Sequence, residues 1–238
     1  MTVTAGNVSS SSGNSTTLSW NHTTTSGSDK EIRVCVTLNA NESVASVTWD
    51  AAGENISGTL IRREVGNPTV DVSVEIWEIN NPAGGVTKQI DCVSATKARK
   101  IAGAADFSGA DADSGVDDVG SNANGQTSVS NSPTNVVADD FVVDCLAMQV
   151  AQSATTGANQ TDIYNLNFYS TVSGAASYQD GTDGAAMSWT FGSADIAHAA
   201  VRIPSVGGGG GGEFIKIIGD GGVAGASSSI IGTGGIIG

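Results

Sequence analysis

Few residues in this chain have the type and spacing for chemistry. Its two histidines, His22 and His198, lie in strand-like segments beside Trp or Ala. Neither has a His, Cys or carboxylate at ligand spacing, so each reads as a satisfied or exposed strand histidine, not a metal ligand or general base. Ser-His-Asp catalysis stays open, but no G-x-S-x-G elbow supports it. The densest carboxylates run from Asp106 to Asp118, DFSGADADSGVDD. There Asp111, Asp113 and Asp117, with Gly115 between them, loosely match a calcium loop, which delivers several hard oxygen ligands from a tight turn. The spacing is irregular, and the twelfth position from Asp111 is Asn122 where a bidentate Glu belongs. The expectation is a solvated acidic loop with no metal. Trp20, Trp49, Trp77 and Trp189 could form a sugar-stacking platform, but within strands they are expected to be packing residues. The C-terminal glycines lack the Lys-Ser/Thr ending of a phosphate loop. No cofactor is expected.

The three cysteines, Cys35, Cys92 and Cys145, do not make a disulfide framework, and none belongs to a CxxC pair. Cys35 and Cys145 lie mid-strand and are expected to be buried and unreactive. Cys92, near a strand end, is the expected exposed thiol. Six Asn-x-Ser/Thr sequons, at Asn7, Asn14, Asn21, Asn41, Asn55 and Asn159, are at chance level for this composition.

The elements that must position these residues are strands. Apolar residues make up 39% of the 238 and charged residues 14%, both low for a globular domain, with Gly, Ser, Thr, Ala and Asn filling the gap. Ser, Thr and Asn compete for backbone hydrogen bonds and Gly is costly in a helix, so the mixture suits short strands and polar turns. The net charge of −14 argues against nucleic acid as a partner, because phosphate binding needs a basic footprint. No signal peptide is visible, and no apolar run approaches the ~20 residues of a membrane span, so no membrane association is expected.

From Thr16 on, TLSWNHT, EIRVCVTL, SVASVTW, GTLIRRE, TVDVSVEIWEI, KARKIAGAADF, DFVVDCLAM, TDIYNLNFYS, AAMSWTF and IAHAAVRI read as strands between Gly, Asn, Asp and Pro clusters. In TVDVSVEIWEI, Val70, Val72, Val74, Ile76 and Glu78 share one face; Asp71, Ser73, Glu75, Trp77 and Ile79 share the other. That pattern predicts an antiparallel sheet wet on one side. The fold class that follows is all-β, an antiparallel two-sheet sandwich or jelly roll. Asn80-Asn81-Pro82-Ala83-Gly84-Gly85 predicts a tight turn. The polar stretch from Ser108 to Ala138 predicts loops around one short strand, QTSVS.

Three segments result: a low-complexity N-terminal arm over 1–15, a sandwich domain over 16–204, and a Gly-rich C-terminal arm over 205–238. The last holds fourteen of the thirty-two glycines. Its apolar clusters, Phe214, Ile215, Ile217, Ile218, Ile230, Ile231, Ile236 and Ile237, cannot build a core alone and are expected to be assembly contacts.

The order TLSWNHTTTSGSDKEIRVCVTL, VASVTWDAAG, VSVEIWEINNPAGGV, KIAGAADFSG, ADDFVVDCLAM and AAMSWTFGSADIAHAAVRI resembles a β-sandwich, jelly-roll-like domain of bacteriophage virion structural proteins and bacterial surface proteins. Members show a Trp-x-His near the first strand, a VEIWYL-NPPAG strand and turn, and a closing W-x-hydrophobic strand. The resemblance covers residues 16–204. It implies a fold and an extracellular or virion setting, and carries over no catalytic residue. The function expected is that of a non-enzymatic virion structural protein on the outer surface of a phage, a capsid-decoration or fibre or spike subunit. Its partners would be other copies of itself and other virion proteins. The alternative is a tail-tip module binding a receptor or surface glycan.

Overall fold

The computed structural model describes residues 1–39, 42–66, 71–111, 118–168 and 170–207. Thirteen strands run in order: β1 (Thr4–Thr23), β2 (Lys30–Asn39), β3 (Val44–Trp49), β4 (Ile56–Ser57), β5 (Thr59–Val65), β6 (Val72–Asn80), β7 (Thr87–Ser108), β8 (Asp118–Asn131), β9 (Phe141–Met148), β10 (Thr155–Thr156), β11 (Thr161–Phe168), β12 (Val172–Asp180) and β13 (Met187–Ile203). They form two antiparallel sheets packed face to face, the all-β sandwich that the alternating pattern implied. The first has order β4-β3-β7-β2-β6-β5 with β1 on β7; the second has order β10-β13-β9-β12-β11 with β8 on β13.

The same topology occurs twice. Taken in chain order, β1, β2, β3, β5, β6 and β7 pair among themselves as β8 to β13 do. Thus β1–β7 answers β8–β13, β2–β7 answers β9–β13, β2–β6 answers β9–β12, β3–β7 answers β10–β13, and β5–β6 answers β11–β12. Only β4 lacks a counterpart among the described strands. The two central strands agree in register too: Cys35 faces Gly103, and Cys145 faces Ala199.

Between the sheets lies one core, holding Cys35, Val72, Val74, Ile76, Ile101 and Phe107 from the first and Phe141, Val143, Cys145, Ala147 and Val201 from the second. The sheets approach closely because small residues line the contact. A Cβ on Gly103 would meet Tyr164 at 2.5 Å, and one on Gly174 would meet Thr37 Oγ1 at 2.6 Å.

The outer face of the first sheet is not wet. Trp77 and Ile79 of β6 and Ile32, Val34, Val36 and Leu38 of β2 pack in a second core with Leu18, Trp20, Val47, Trp49, Ile90 and Cys92. The expectation of a one-sided strand at β6 is therefore overturned. The reason is the length of β1 and β7, which run as a paired ribbon of 20 and 22 residues and bend near Ser15–Thr17. The bend folds half of the ribbon, with β3, back over the sheet. Buried Lys100 fixes the corner, its Nζ donating to the carbonyls of Ser15 (2.8 Å) and Thr16 (3.0 Å) and to Ser94 Oγ (2.6 Å). The β8–β13 ribbon bends likewise, at register shifts on either side of Ala194.

The strands differ from the sequence reading in four places. Residues 4–15 are the first half of β1, not a free arm. KARKIAGAADF is the second half of a single strand that begins at Thr87, and AAMSWTF and IAHAAVRI are one strand. The polar stretch read as loops around QTSVS contains the 14-residue β8. The predicted turn after β6 is present, with Asn81 at φ 54° and Gly85 at φ 73°. The C-terminal arm beyond Gly207, with its eight apolar contact residues, lies outside the described residues.

Candidate functional site

The residues with chemical potential converge on two buried histidine–aspartate centres. Asp144 interrupts the apolar run of β9, and alternation points it away from the inter-sheet core. Register places Ser177 of β12 opposite it. The bend in β13 brings Trp189 and His198 together from the two halves of one strand. Asp144 Oδ1 accepts from Ser177 N (2.9 Å) and Oγ (2.7 Å); Oδ2 accepts from Trp189 Nε1 (2.5 Å) and His198 Nε2 (2.9 Å). With a carboxylate oxygen as the acceptor, His198 Nε2 is the donor of this contact. Asp144, Ser177 and His198 are 0% exposed and Trp189 is 1% exposed. Four donors around one carboxylate satisfy the buried charge.

Asp106 of β7 is the second centre. Its Oδ1 accepts from Asn7 N (2.6 Å) and lies 3.6 Å from His22 Nε2; its Oδ2 accepts from Thr25 N (2.9 Å), Thr25 Oγ1 (2.6 Å) and Lys30 Nζ (3.0 Å). Burial works against the charge, but contacts with His22, Thr25 and Lys30 outweigh it and hold Asp106 well below the usual carboxylate range. Gly6 is required here, since a Cβ would fall 2.5 Å from the carboxylate oxygens. The His22 ring stands edge-on to Trp49, with centroids 6.2 Å apart.

His22 Nδ1 also meets Ser9 Oγ at 2.8 Å, which sets Ser9, His22 and Asp106 in the order of a nucleophile, base and orienting acid. Two features oppose that chemistry. Trp20 Nε1 donates to the same Ser9 oxygen at 3.0 Å, engaging the lone pair that would attack. Two surface hollows lie elsewhere: one of about 350 Å³ by Asn39, Asp71, Gln149, Ser170 and Thr171, another of about 300 Å³ by Glu42, Ser43, Ala95 and Thr96. What the arrangement does is clamp the folded β1–β7 ribbon, since Ser9 and Asn7 belong to one half and Trp20, His22 and Thr23 to the other. Asn7 Nδ2 donates to Thr23 O at 2.9 Å and closes the same gap.

The remaining buried charges also tie strands together. Arg33 lies between the carboxyl groups of Glu31 and Glu78 at the inter-sheet contact, within reach of both. Burial pushes Glu31 up to about 8, opposed by the Arg33 guanidinium and reinforced by Glu78. Glu75, on the opposite face of the sheet, accepts from Trp77 Nε1 at 2.9 Å and Val44 N at 3.2 Å, and pairs with Arg63 at 3.3 Å. Burial raises it against those three contacts. Asp140 accepts from Arg202 Nε (2.7 Å), Val137 N (2.9 Å) and Ser205 N (2.9 Å).

Of the calcium candidates, Asp111 is described, and its backbone N–H donates to Pro204 O at 2.8 Å. Asp113 and Asp117 lie outside the described residues. Among the described residues no three His, Cys, Asp or Glu side chains group as a metal site. All four tryptophans pack inside, at 0 to 8% exposure. Cys92, expected to be the exposed thiol, is buried with Cys35 and Cys145. It lies within β7, paired with Val47 of β3, and its side chain packs in the second core against β2, a consequence of the bend.

Neither histidine–aspartate pairing was visible in the sequence, because the partners lie far apart along the chain, on β1 and β7 for His22 and Asp106 and on β13 and β9 for His198 and Asp144. One signal was present: an Asp inside the apolar run FVVDCLAM demands buried donors. Comparison of the chain with models of protein families, with curated proteins and with solved structures finds no match.

Proposed function

We propose that this chain is a non-enzymatic structural subunit of a bacteriophage virion, a capsid-decoration protein or a fibre or spike subunit, which joins virion proteins and other copies of itself through its C-terminal arm. The observation that carries the reading is how the buried ionisable groups are used. Asp106, Asp144, Asp140 and the Glu31–Arg33–Glu78 cluster are buried and spend their contacts tying segments of the sandwich together. A rigid, double-cored sandwich followed by a Gly-rich segment with isoleucine clusters is suited to assembly. The resemblance of residues 16–204 to phage virion domains points the same way. The receptor- or glycan-binding reading needs an exposed aromatic platform, and the four tryptophans are packed. The test is location: labelled antibody or a low-resolution map of purified particles is expected to find the protein on the outer surface. Removal of residues 207–238 is expected to leave a folded sandwich that no longer joins the particle; full incorporation of the shortened chain would refute the assembly role.

A further inference from the structure

The duplicated topology leaves two equivalent edge strands, β1 and β8, and they are defended differently. Over β8 lie side chains of β5. Arg62 pairs with Asp118 at 2.7 Å and with Glu64 at 2.8 Å, and Asn122 Nδ2 donates to Glu64 Oε1 at 2.7 Å. They sit so close that a Cβ on Gly120 would fall 2.1 Å from Glu64 Oε2. Charge and cover of this kind block further strand pairing. Strand β1 carries no such charge, although β11 packs against it. Its 20 residues, TAGNVSSSSGNSTTLSWNHT, include no Asp, Glu, Lys, Arg or Pro. Among the described residues it pairs with β7 on one side only. Between its two bulges, Val8 to Ser15 run in unbroken register against Ala105 to Ala98. There Ser10, Ser12 and Asn14 are exposed, as is Val8 at 44%.

We propose that the Val8–Ser15 edge of β1 is the acceptor for the C-terminal segment Glu213–Ile218 of a second copy of this chain, added as a further strand. The proposal rests on the assembly reading above. EFIKII is a short, mainly apolar segment bounded by glycines, and its six residues fit an eight-residue window. Donor and acceptor also share one corner of the molecule. Val206 N donates to Gly109 O at 2.9 Å, and the Met1 ammonium donates to Val206 O at 2.7 Å, so the arm departs beside the start of β1. Two copies meeting at this corner exchange arms reciprocally, which closes the contact. The N-terminal tripeptide is held at the same corner by Met1 to Val206 and by Val3 N to Asp139 O at 3.0 Å.

The experiment is disulfide trapping in the full-length chain, where the three native cysteines are buried. Ser12→Cys is combined with Ile215→Cys or with Lys216→Cys, covering both faces of the donor, and Thr127→Cys on β8 replaces Ser12→Cys as the control. Under mild oxidation a two-chain species is expected with Ser12→Cys and at least several-fold less with Thr127→Cys. A one-chain cross-link would assign the edge to the chain's own arm and overturn the proposal, as would equal trapping on β8 or none on either. A second variant separates this failure from that of the assembly reading. Full-length S10K/S12K is expected to lose incorporation into particles. Normal incorporation of that variant, with incorporation still lost on removing residues 207–238, would leave the assembly reading standing and refute the β1 acceptor.

Discussion

Asp106 and Arg202 occupy the same station in the two sheets with opposite charge. Asp106 pairs in register with Ile32 on β2, and Arg202 with Val142 on β9. Two residues before each of those partners stands the counter-charge: Lys30 bonds Asp106 at 3.0 Å, and Asp140 bonds Arg202 at 2.7 Å. A buried ion pair at this point of the strand ladder is thus present in both halves with its polarity inverted. What the repeated topology needs here is a satisfied pair, whichever strand carries the acid.

Breaking either pair from one side leaves an uncompensated buried charge, which typically costs 3–5 kcal/mol. Asp106→Ala and Arg202→Met are therefore each expected to destabilise the protein by about that amount, read from the shift in a denaturant unfolding midpoint. Asp106→Ala is expected to be the costlier, since it also orphans Asn7 N and Thr25 N. Equal losses would mean that the backbone donors around Asp106 find solvent.

Two of the carboxylates predict opposite responses to pH. Glu31, raised to about 8 by burial, keeps its proton in the folded chain after the unfolded chain has lost it. Its contribution is whole below the ordinary Glu value near 4.5 and is lost as pH climbs through about 8. The loss is on the order of 4 kcal/mol. Asp106, held below the usual range, contributes above the ordinary Asp value of 3.8 and loses that contribution as pH falls beneath it. Glu31→Gln is expected to flatten the decline in melting temperature between pH 5 and 8 while leaving acid unfolding unchanged. An unaltered decline would place the titration elsewhere.

Much of the sandwich was legible because alternation is a local property. Ile32, Val34, Val36 and Leu38 announce a strand face wherever the strand finally lies. The second burial of that strand was not legible. Whether Trp77 and Ile79 meet water or Trp49 depends on a bend fifteen or more residues away, set by Lys100 and the carbonyls of Ser15 and Thr16. The two histidine–aspartate centres failed to show for the same reason, since each is made by bringing the halves of a bent ribbon together. Low complexity also misled: Ser9 to Ser12 look structureless as a string, yet as an edge strand they need only backbone partners and small polar side chains.

The cysteines test the folded-over ribbon directly. Burial raises the Cys35 and Cys92 thiols, and a buried thiol is a poor nucleophile. A thiol reagent is expected to find no fast-reacting cysteine in the native protein and three after denaturation. Rapid modification at Cys92 alone would mean that β3 and the first half of β7 lift from the sheet in solution.

Asp144 gives the sharpest test of a centre read here as structural. Asn preserves its shape but replaces one acceptor oxygen by an NH₂ donor. If that donor faces His198, the imidazole can move its proton to Nδ1 and accept, but the Trp189 indole N–H has no other tautomer and is left facing a donor. If it faces Ser177, the hydroxyl can rotate, but the Ser177 backbone N–H cannot. Either orientation strands at least one buried donor, at about 1–3 kcal/mol, besides the loss of the charge-assisted bonds. Asp144→Asn is therefore expected to destabilise by about 2–4 kcal/mol. In the Trp189→Phe background, where the indole donor is gone, the same substitution is expected to cost at least 1 kcal/mol less. Equal costs in the two backgrounds, read from denaturant midpoints, would show either that the Trp189–Asp144 bond carries no coupling or that the amide turns its NH₂ to Ser177 and keeps its oxygen on Trp189.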